Sequence, residues 1–344
     1  MKQIIAITGI ILLSLGINSC KNEDWSFPDF DYTTTYFPYQ FPVRTLVMGD
    51  YYFDNSMDKE LKFLISVNSG GVYKNTENIS VDFVVDPTLT DSLYNSSGGA
   101  KMYALPTGYY TLSNTSKITI PSGQPYGSVE VQLTQSFLDD PLAIGVNYVI
   151  PLRITASTTD SVLEGSRLSP TPDLRIPGDW VIRPKNYTLF GIKFVNEYHG
   201  TYLLRGRSVV TNTADGTPID TVTYRNKYVE KNPIVSVSTA SKDAVLYENS
   251  IQMPPTSPGK FQMNMTFDAS GNAVLTKTSE YATLVSGTGK FSKNTEKWGG
   301  KDRHAIYLDY QLVESTRTHL VKDTLVFRDK GIKFEEFTPS IKTP

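Results

Sequence analysis

Phe261-Gln262-Met263-Asn264-Met265-Thr266-Phe267 places an apolar side chain at every second position over seven residues. In an extended chain successive side chains point to opposite faces. Phe261, Met263, Met265 and Phe267 therefore share one face and Gln262, Asn264 and Thr266 the other, the signature of a half-buried β-strand. The same period recurs in the preceding part of the chain. Val129, Val131 and Leu133 alternate with Glu130, Gln132 and Thr134, and Leu61, Phe63, Ile65 and Val67 with Lys62, Leu64 and Ser66. Val81, Phe83 and Val85, then Ile150, Leu152 and Ile154, repeat it. Between the runs stand turn formers: Pro121-Ser122-Gly123-Gln124-Pro125, Asp215-Gly216 and Ser270-Gly271-Asn272. No long stretch has a 3.6-residue period. One short helix is expected at Asp86-Pro87-Thr88-Leu89, with Asp86 as N-cap and Pro87 at the first helical position.

Many short strands joined by tight turns predict an all-β protein. Strand patterning fills residues 32–157 and resumes at Tyr187, with a proline-rich stretch at 158–185 between. The organisation expected is an Ig-like β-sandwich over 32–157, a semi-rigid linker over 158–185 with Trp180 at the interdomain contact, and a C-terminal antiparallel β domain over 186–344. About eight strands in the latter either close into a barrel or stack as two sheets.

Lys and Arg number 33 against 35 Asp and Glu, a formal charge of −2, which gives no global drive toward nucleic acid. The one cysteine, Cys20, forbids an intrachain disulfide. Three scattered histidines (His199, His304 and His319) lack metal-ligand spacing, and neither a GxSxG elbow nor a phosphate-binding glycine loop occurs. No metal or cofactor is expected. Asp268-Ala269-Ser270-Gly271-Asn272 lacks the spaced acids of a calcium loop and is expected to be a hairpin turn.

The N-terminus begins with Lys2 and a fourteen-residue apolar run, Ile4 to Ile17, too short to span a bilayer. Ile17-Asn18-Ser19-Cys20 follows and resembles a bacterial lipoprotein cleavage box. The resemblance implies removal of residues 1–19, lipidation of Cys20 and a tether over 20–31; a stray cysteine behind an ordinary signal peptide is the alternative. Lys21-Asn22-Glu23-Asp24 is similar to the acidic signal that directs Bacteroidetes lipoproteins to the cell surface. A lipid-anchored outer-membrane protein, exposed at the surface, is the localisation implied.

Two groups of segments resemble a Bacteroidetes family of two-domain surface lipoproteins from Sus-type polysaccharide-utilisation systems. Phe41 to Gly49 and Asn147 to Ile154 resemble the start and last strand of its N-terminal domain. Tyr187 to Asn196, Tyr198 to Tyr202, Tyr307 to Tyr310 and Asp323 to Asp329 resemble its C-terminal domain. The resemblance implies a non-catalytic protein that binds extracellular polysaccharide or oligosaccharide, with a Sus-type transporter and its lipoprotein as possible partners, and it fixes no sugar-contacting residue. A structural protein, adhesin or transporter scaffold is the alternative. Asp91-Ser92-Leu93, Asp160-Ser161-Val162, Asp220-Thr221-Val222 and Asp323-Thr324-Leu325 resemble the O-glycosylation pattern of the same bacteria.

Sugar recognition needs an aromatic face against ring C–H groups and planar polar groups for paired hydroxyls. The loop Glu296-Lys297-Trp298-Gly299-Gly300-Lys301-Asp302-Arg303-His304 offers both. Trp298 would be the platform and Lys301, Asp302 and Arg303 the polar partners, with Tyr281 and Tyr198 as further candidates. Alternatively, Trp298 caps the end of the second core and the charges stay hydrated. Glycoside hydrolysis would need paired carboxylates; Asp139-Asp140, Glu296 with Asp302, and Glu335-Glu336 qualify only by composition.

Overall fold

The computed structural model describes residues 29–96, 98–250, 259–278 and 284–342. The stretch expected to be a signal peptide, Cys20, most of the expected tether and Tyr281 lie outside them.

The fold is almost wholly β. The first unit stacks two sheets. One contains β1 (Thr34–Tyr36), β3 (Lys62–Gly70), β5 (Tyr110–Leu112), β7 (Tyr126–Leu133) and β9 (Ser161–Val162), in the order β9-β1-β3-β7-β5. The other contains β2 (Pro42–Val47), β4 (Ile79–Val85), β6 (Lys117–Ile120), β8 (Tyr148–Ser157), β10 (Tyr187–Val195) and β20 (Glu335–Glu336), in the order β20-β2-β10-β8-β4-β6, with Tyr103–Ala104 added alongside β8. Phe63, Ile65, Phe83, Ile118, Val131, Ile150, Leu152 and Phe194 fill the space between them. These are the alternating residues of the sequence, turned inward as their period requires. The short helix also forms, as a 3-10 turn over Pro87–Thr90 with the Asp86 carboxylate accepting from Thr88 N–H.

The second unit is a closed barrel of eight antiparallel strands, which decides between barrel and sandwich. It is formed by β11 (Gly200–Asn212), β13 (Ile234–Thr239), β14 (Ala244–Ser250), β15 (Lys260–Phe267), β16 (Asn272–Lys277), β17 (Leu284–Trp298), β18 (Lys301–Val313) and β19 (Arg317–Asp329). Closure comes from β11 meeting β19 along Thr201↔Asp329 to Asn212↔Arg317. A further strand, β12 (Pro218–Tyr224), folds back on the second half of β11. An eight-stranded barrel has an interior just wide enough for side chains, and Tyr202, Tyr247, Phe261, Met263, Met265, Ile306, Tyr310 and Leu325 occupy it. The Asp268–Asn272 stretch is a hairpin turn, with Asp268 Oδ1 accepting from Ser270 and Asn272 N–H.

Three expectations about domain limits are corrected. Strand β10, read as the opening of the second domain at 186–344, instead lies at the centre of the first unit. It runs parallel to β2 and antiparallel to β8. Its near-continuous apolar run is buried on both faces: Ile192 and Phe194 face the sandwich core, while Tyr187 and Leu189 pack outward against Phe337 and Leu93. The chain also returns at its C-terminal end, where Glu335–Glu336 pairs with β2 and Ser340–Ile341 with Leu93–Tyr94. Finally, residues 158–185 are folded onto the first unit. β9 lies parallel to β1, Ser166–Arg167 pairs with Trp180–Ile182, and Arg175 Nη1 donates to Leu89 and Asp91 carbonyls. The Trp180 indole donates to Asp173 C=O within that same stretch, so its bond is local and not interdomain.

Candidate functional site

The Trp298 loop is a two-residue hairpin joining β17 to β18. Gly299 and Gly300 sit at φ +60° and +72°, the left-handed pair that matches the strand twist and that glycine adopts without a Cβ penalty. Its side chains are spent on each other. The Trp298 indole donates to Phe327 C=O at 3.0 Å, and the Arg303 guanidinium lies 4.2 Å from the ring centroid. A cation on the face occupies the surface a sugar would need. Lys301 and Asp302 are exposed, with Asp302 beside Lys297 at 3.4 Å. The structure thus brings Trp298 and Arg303 together as a cap on the barrel wall, with the guanidinium over one face of a half-buried indole. Tyr198 stacks on Phe267 at 3.8 Å and meets Phe291 edge-on, closing one part of the barrel core.

An open aromatic site is found on the first unit. A groove of about 550 Å³ runs beside β2 and is lined by Phe37, Tyr39, Tyr51, Phe53, Phe190 and Phe334, with Arg44, Asp54, Asn55, Asp58 and Lys333 among its polar residues. Three separate devices hold its walls.

The first wall is the crossing from β1 to β2. Phe37 N–H donates to Lys185 C=O, Gln40 Nε2 to Phe37 C=O, and Leu189 N–H to Gln40 C=O. These bonds fix Tyr39, which keeps 48% of its surface exposed. The second wall is the segment after the barrel. At its start Lys330, 2% exposed, donates to the carbonyls of Asn196 and Glu197, and burial brings its pKa down to about 8. At its end Glu335 and Glu336 pair with β2, and Glu335 accepts from Lys193 Nζ at 2.6 Å. Held at both ends, Phe334 stands 61% exposed with its ring 5.0 Å from that of Tyr39.

The third wall is Tyr51-Tyr52-Phe53. The three rings cluster at 4.2–5.7 Å, with Phe53 63% exposed. The chain enters this loop through Gly49 at φ +75°, where a Cβ would come within 2.5 Å of Glu197 Cγ, and leaves it through the short helix α1 (Ser56–Lys59). Two side chains bind the loop back to β2. Asn55 Nδ2 donates to Val47 and Gly49 C=O. Asp58, 3% exposed, accepts from Val47 N–H at 3.0 Å and pairs with Arg44. Burial pushes the Asp58 carboxyl above its ordinary pKa, opposed by Val47 N–H and Arg44. The arrangement offers ring faces on three walls and a guanidinium between them, the chemistry of a site for a ligand with apolar faces and paired hydroxyls.

The acids are engaged elsewhere. Asp140 accepts from the Tyr109 and Tyr148 hydroxyls and from Leu142 N–H, while Asp139 faces Lys242 at 3.5 Å. Glu296 pairs with Arg205 at 3.4 Å and accepts from Tyr307. In the groove, both Asp58 oxygens are taken and Asp54 accepts from Ser56 N–H. Among the described residues no cluster of three His, Cys, Asp or Glu could hold a metal ion, and no helix is long and apolar enough to cross a membrane.

None of the groove residues was singled out from sequence. The signal was there in Tyr51-Tyr52-Phe53, three consecutive aromatics between Asp50 and Asp54. Such a run has no alternation, so it does not belong in a half-buried strand and stands exposed.

Comparison with known proteins agrees with these two units. Residues 197–331, the barrel, match a domain of unknown function, DUF5627. Residues 30–161 match a family model described as an N-terminal domain. A Bacteroides ovatus protein of unknown function, whose structure is solved, is 36% identical, with a TM-score of 0.83 over 91% of this chain and 100% of its own. The chain belongs to the same family as that protein. Weaker likenesses include a multidomain protein including DUF1735 from Bacteroides ovatus (11% identity, TM-score 0.42, 88% of this chain and 97% of that one). Another is an auxiliary nutrient binding protein from Bacteroides thetaiotaomicron (16% identity, TM-score 0.37, 83% and 90%). No curated protein matches the chain.

Proposed function

We propose that this protein is a lipid-anchored cell-surface module that retains extracellular glycan without cutting it. The observation carrying this reading is the groove itself: exposed Tyr39, Phe53 and Phe334 converge from three separate segments around Arg44. Exposed rings that contribute little to a core are costly to keep in water, and each is held by dedicated backbone bonds or ion pairs. The engagement of the acids in structural bonds supports a non-catalytic role. The cleavage-box resemblance at Cys20 supports the anchor. Weak single-site affinity would be offset by many copies facing a repeating polymer.

The test is native affinity electrophoresis of the mature chain through gels containing neutral and acidic polysaccharides, beside a reducing-sugar assay on the same panel. Retardation without sugar release is expected. Sugar release would establish a hydrolase. Free migration in every gel, with a transporter co-purifying, would establish the scaffold alternative.

A further inference from the structure

Building on the glycan reading, we propose a second binding site: a cationic strip on the outer wall of the barrel that takes a polysaccharide bearing carboxylate or sulfate groups. The wall there has a depression of about 640 Å³ lined by Arg205, Arg207, Arg225, Lys290, Tyr307 and Lys322. Arg205, Arg207, Lys290, Tyr307 and Lys322 come from neighbouring strands and face outward, because their sequence neighbours Leu204, Phe291, Leu308, Val321 and Asp323 point into the barrel, and the exposed Arg225 follows directly on the end of β12. The register sets them in rows across the sheet. Arg207 lies opposite Thr223 on one side and Lys322 on the other, and Lys322 opposite Asp309. In the next row Arg205 stands opposite Thr324, Thr324 opposite Tyr307, and Tyr307 opposite Lys290. From β12 to β17 the strip crosses five strands, four spacings of about 4.8 Å, or roughly 19 Å. That is long enough for a run of sugar units.

Three features point to an anionic ligand. Like charges directly opposite in a ladder are destabilising, yet Arg207 faces Lys322 in a chain that is acidic overall. Arg207 and Arg225 are exposed and make no ion pair with any described carboxylate. Arg205 pairs with Glu296 through Nη1, but its Nε is buried without a hydrogen-bond partner among the described residues. The acids nearby cancel this charge only in part. Glu296 answers Arg205, Asp309, which also lines the depression, answers Lys322 at 3.0 Å in solvent, and Asp323 points inward to two tyrosine hydroxyls, which leaves Arg207 and Arg225. Lys290 is bonded to Ser270 C=O and Asn272 Oδ1, which holds its charge at the rim. Arginine's planar fork suits carboxylate and sulfate oxygens, and the half-buried Tyr307 supplies a ring beside them.

The experiment compares wild type, the double variant Arg207→Ser/Arg225→Ser and Phe53→Ala in gels containing polygalacturonate, chondroitin sulfate or neutral galactan. Both arginines are exposed and unpaired, so the double variant is expected to fold. Wild type is expected to be retarded by a polyanion, and the double variant to lose at least about tenfold in affinity, about 1.4 kcal/mol. The double variant should leave any retention by neutral galactan unchanged, and Phe53→Ala should reduce that retention, so the two sites are read separately. The polyanion retardation should also vanish between about 0.05 M and about 0.5 M salt, as screening of exposed charges demands. Preference for polygalacturonate would assign a carboxylate ligand, and preference for chondroitin sulfate a sulfate ester. Equal retardation of wild type and double variant, or no retardation by either polyanion, overturns the strip. If galactan or another neutral polymer is still retained, the groove stands without it; if no polysaccharide is retained, the glycan reading fails too.

Discussion

Asp323 gives the most quantitative prediction. It lies inside the barrel, 3% exposed, with Oδ2 accepting from the Tyr310 hydroxyl at 2.7 Å and Oδ1 from Tyr224. Among the described residues no cation pairs with it. Burial raises its pKa from 3.8 to about 6, against the two tyrosine hydrogen bonds. A raised carboxyl makes the folded state hold its proton more tightly than the unfolded chain does. Stability from this site is therefore full below about pH 4 and is lost as pH rises toward 6. A shift of roughly two units corresponds to about 3 kcal/mol of stability absent at pH 7. Asp323→Asn keeps the shape and removes the charge. At pH 4 the variant should match wild type within about 1 kcal/mol; by pH 7 it should be the more stable by about 3 kcal/mol. With a urea slope of about 2 kcal/mol per molar, the midpoint moves by roughly 1.5 M. The assay is urea unfolding at several pH values in a Trp25→Phe/Trp180→Phe background, so that Trp298 reports the barrel. Taking the difference from wild type cancels the other titrating acids. A difference that stays flat from pH 4 to 7, or grows in favour of wild type, refutes the reasoning.

The remaining predictions concern the groove and the hairpin. Asp58→Ala strips Val47 N–H and Arg44 of their partner and should cost about 1–3 kcal/mol in a thermal melt of the first unit. It should also weaken glycan retention by loosening Tyr51 to Phe53. Gly49→Ala puts a Cβ at φ +75° against Glu197 and should cost about 1–3 kcal/mol, read as a lower unfolding midpoint. Trp298→Ala should destabilise the barrel by about 2 kcal/mol while leaving glycan affinity within twofold, since one face and the N–H of this half-buried indole are already committed. Loss of glycan binding in that variant, at unchanged stability, would return the hairpin to candidacy.

Much of the fold could be read from period-two patterning, because burying one sheet face forces alternation on each strand. The Asp86-Pro87 cap and the Asp268–Asn272 turn were equally legible, since their bonds are local. Partner choice was not. Tyr187 to Val195 reads as a strand in any context, and only its burial on both faces identifies a central strand between β2 and β8. Barrel closure likewise depends on β11 meeting β19 across more than a hundred residues. The groove was hidden for the same reason: Phe190 and Phe334 come from segments distant from the stretch that holds Tyr39, Arg44 and Phe53. Trp298 drew attention as an aromatic in a glycine-rich charged loop, but sequence does not reveal that Arg303 lies across its ring.

The most direct test of the central claim is a crystal structure of the mature chain with an oligosaccharide cut from whichever polymer retards it. A sugar ring stacked on Phe53, Tyr39 or Phe334, with hydroxyls bonded to Arg44, is the predicted result. An empty groove with the sugar seated instead on the Trp298 hairpin would contradict the account.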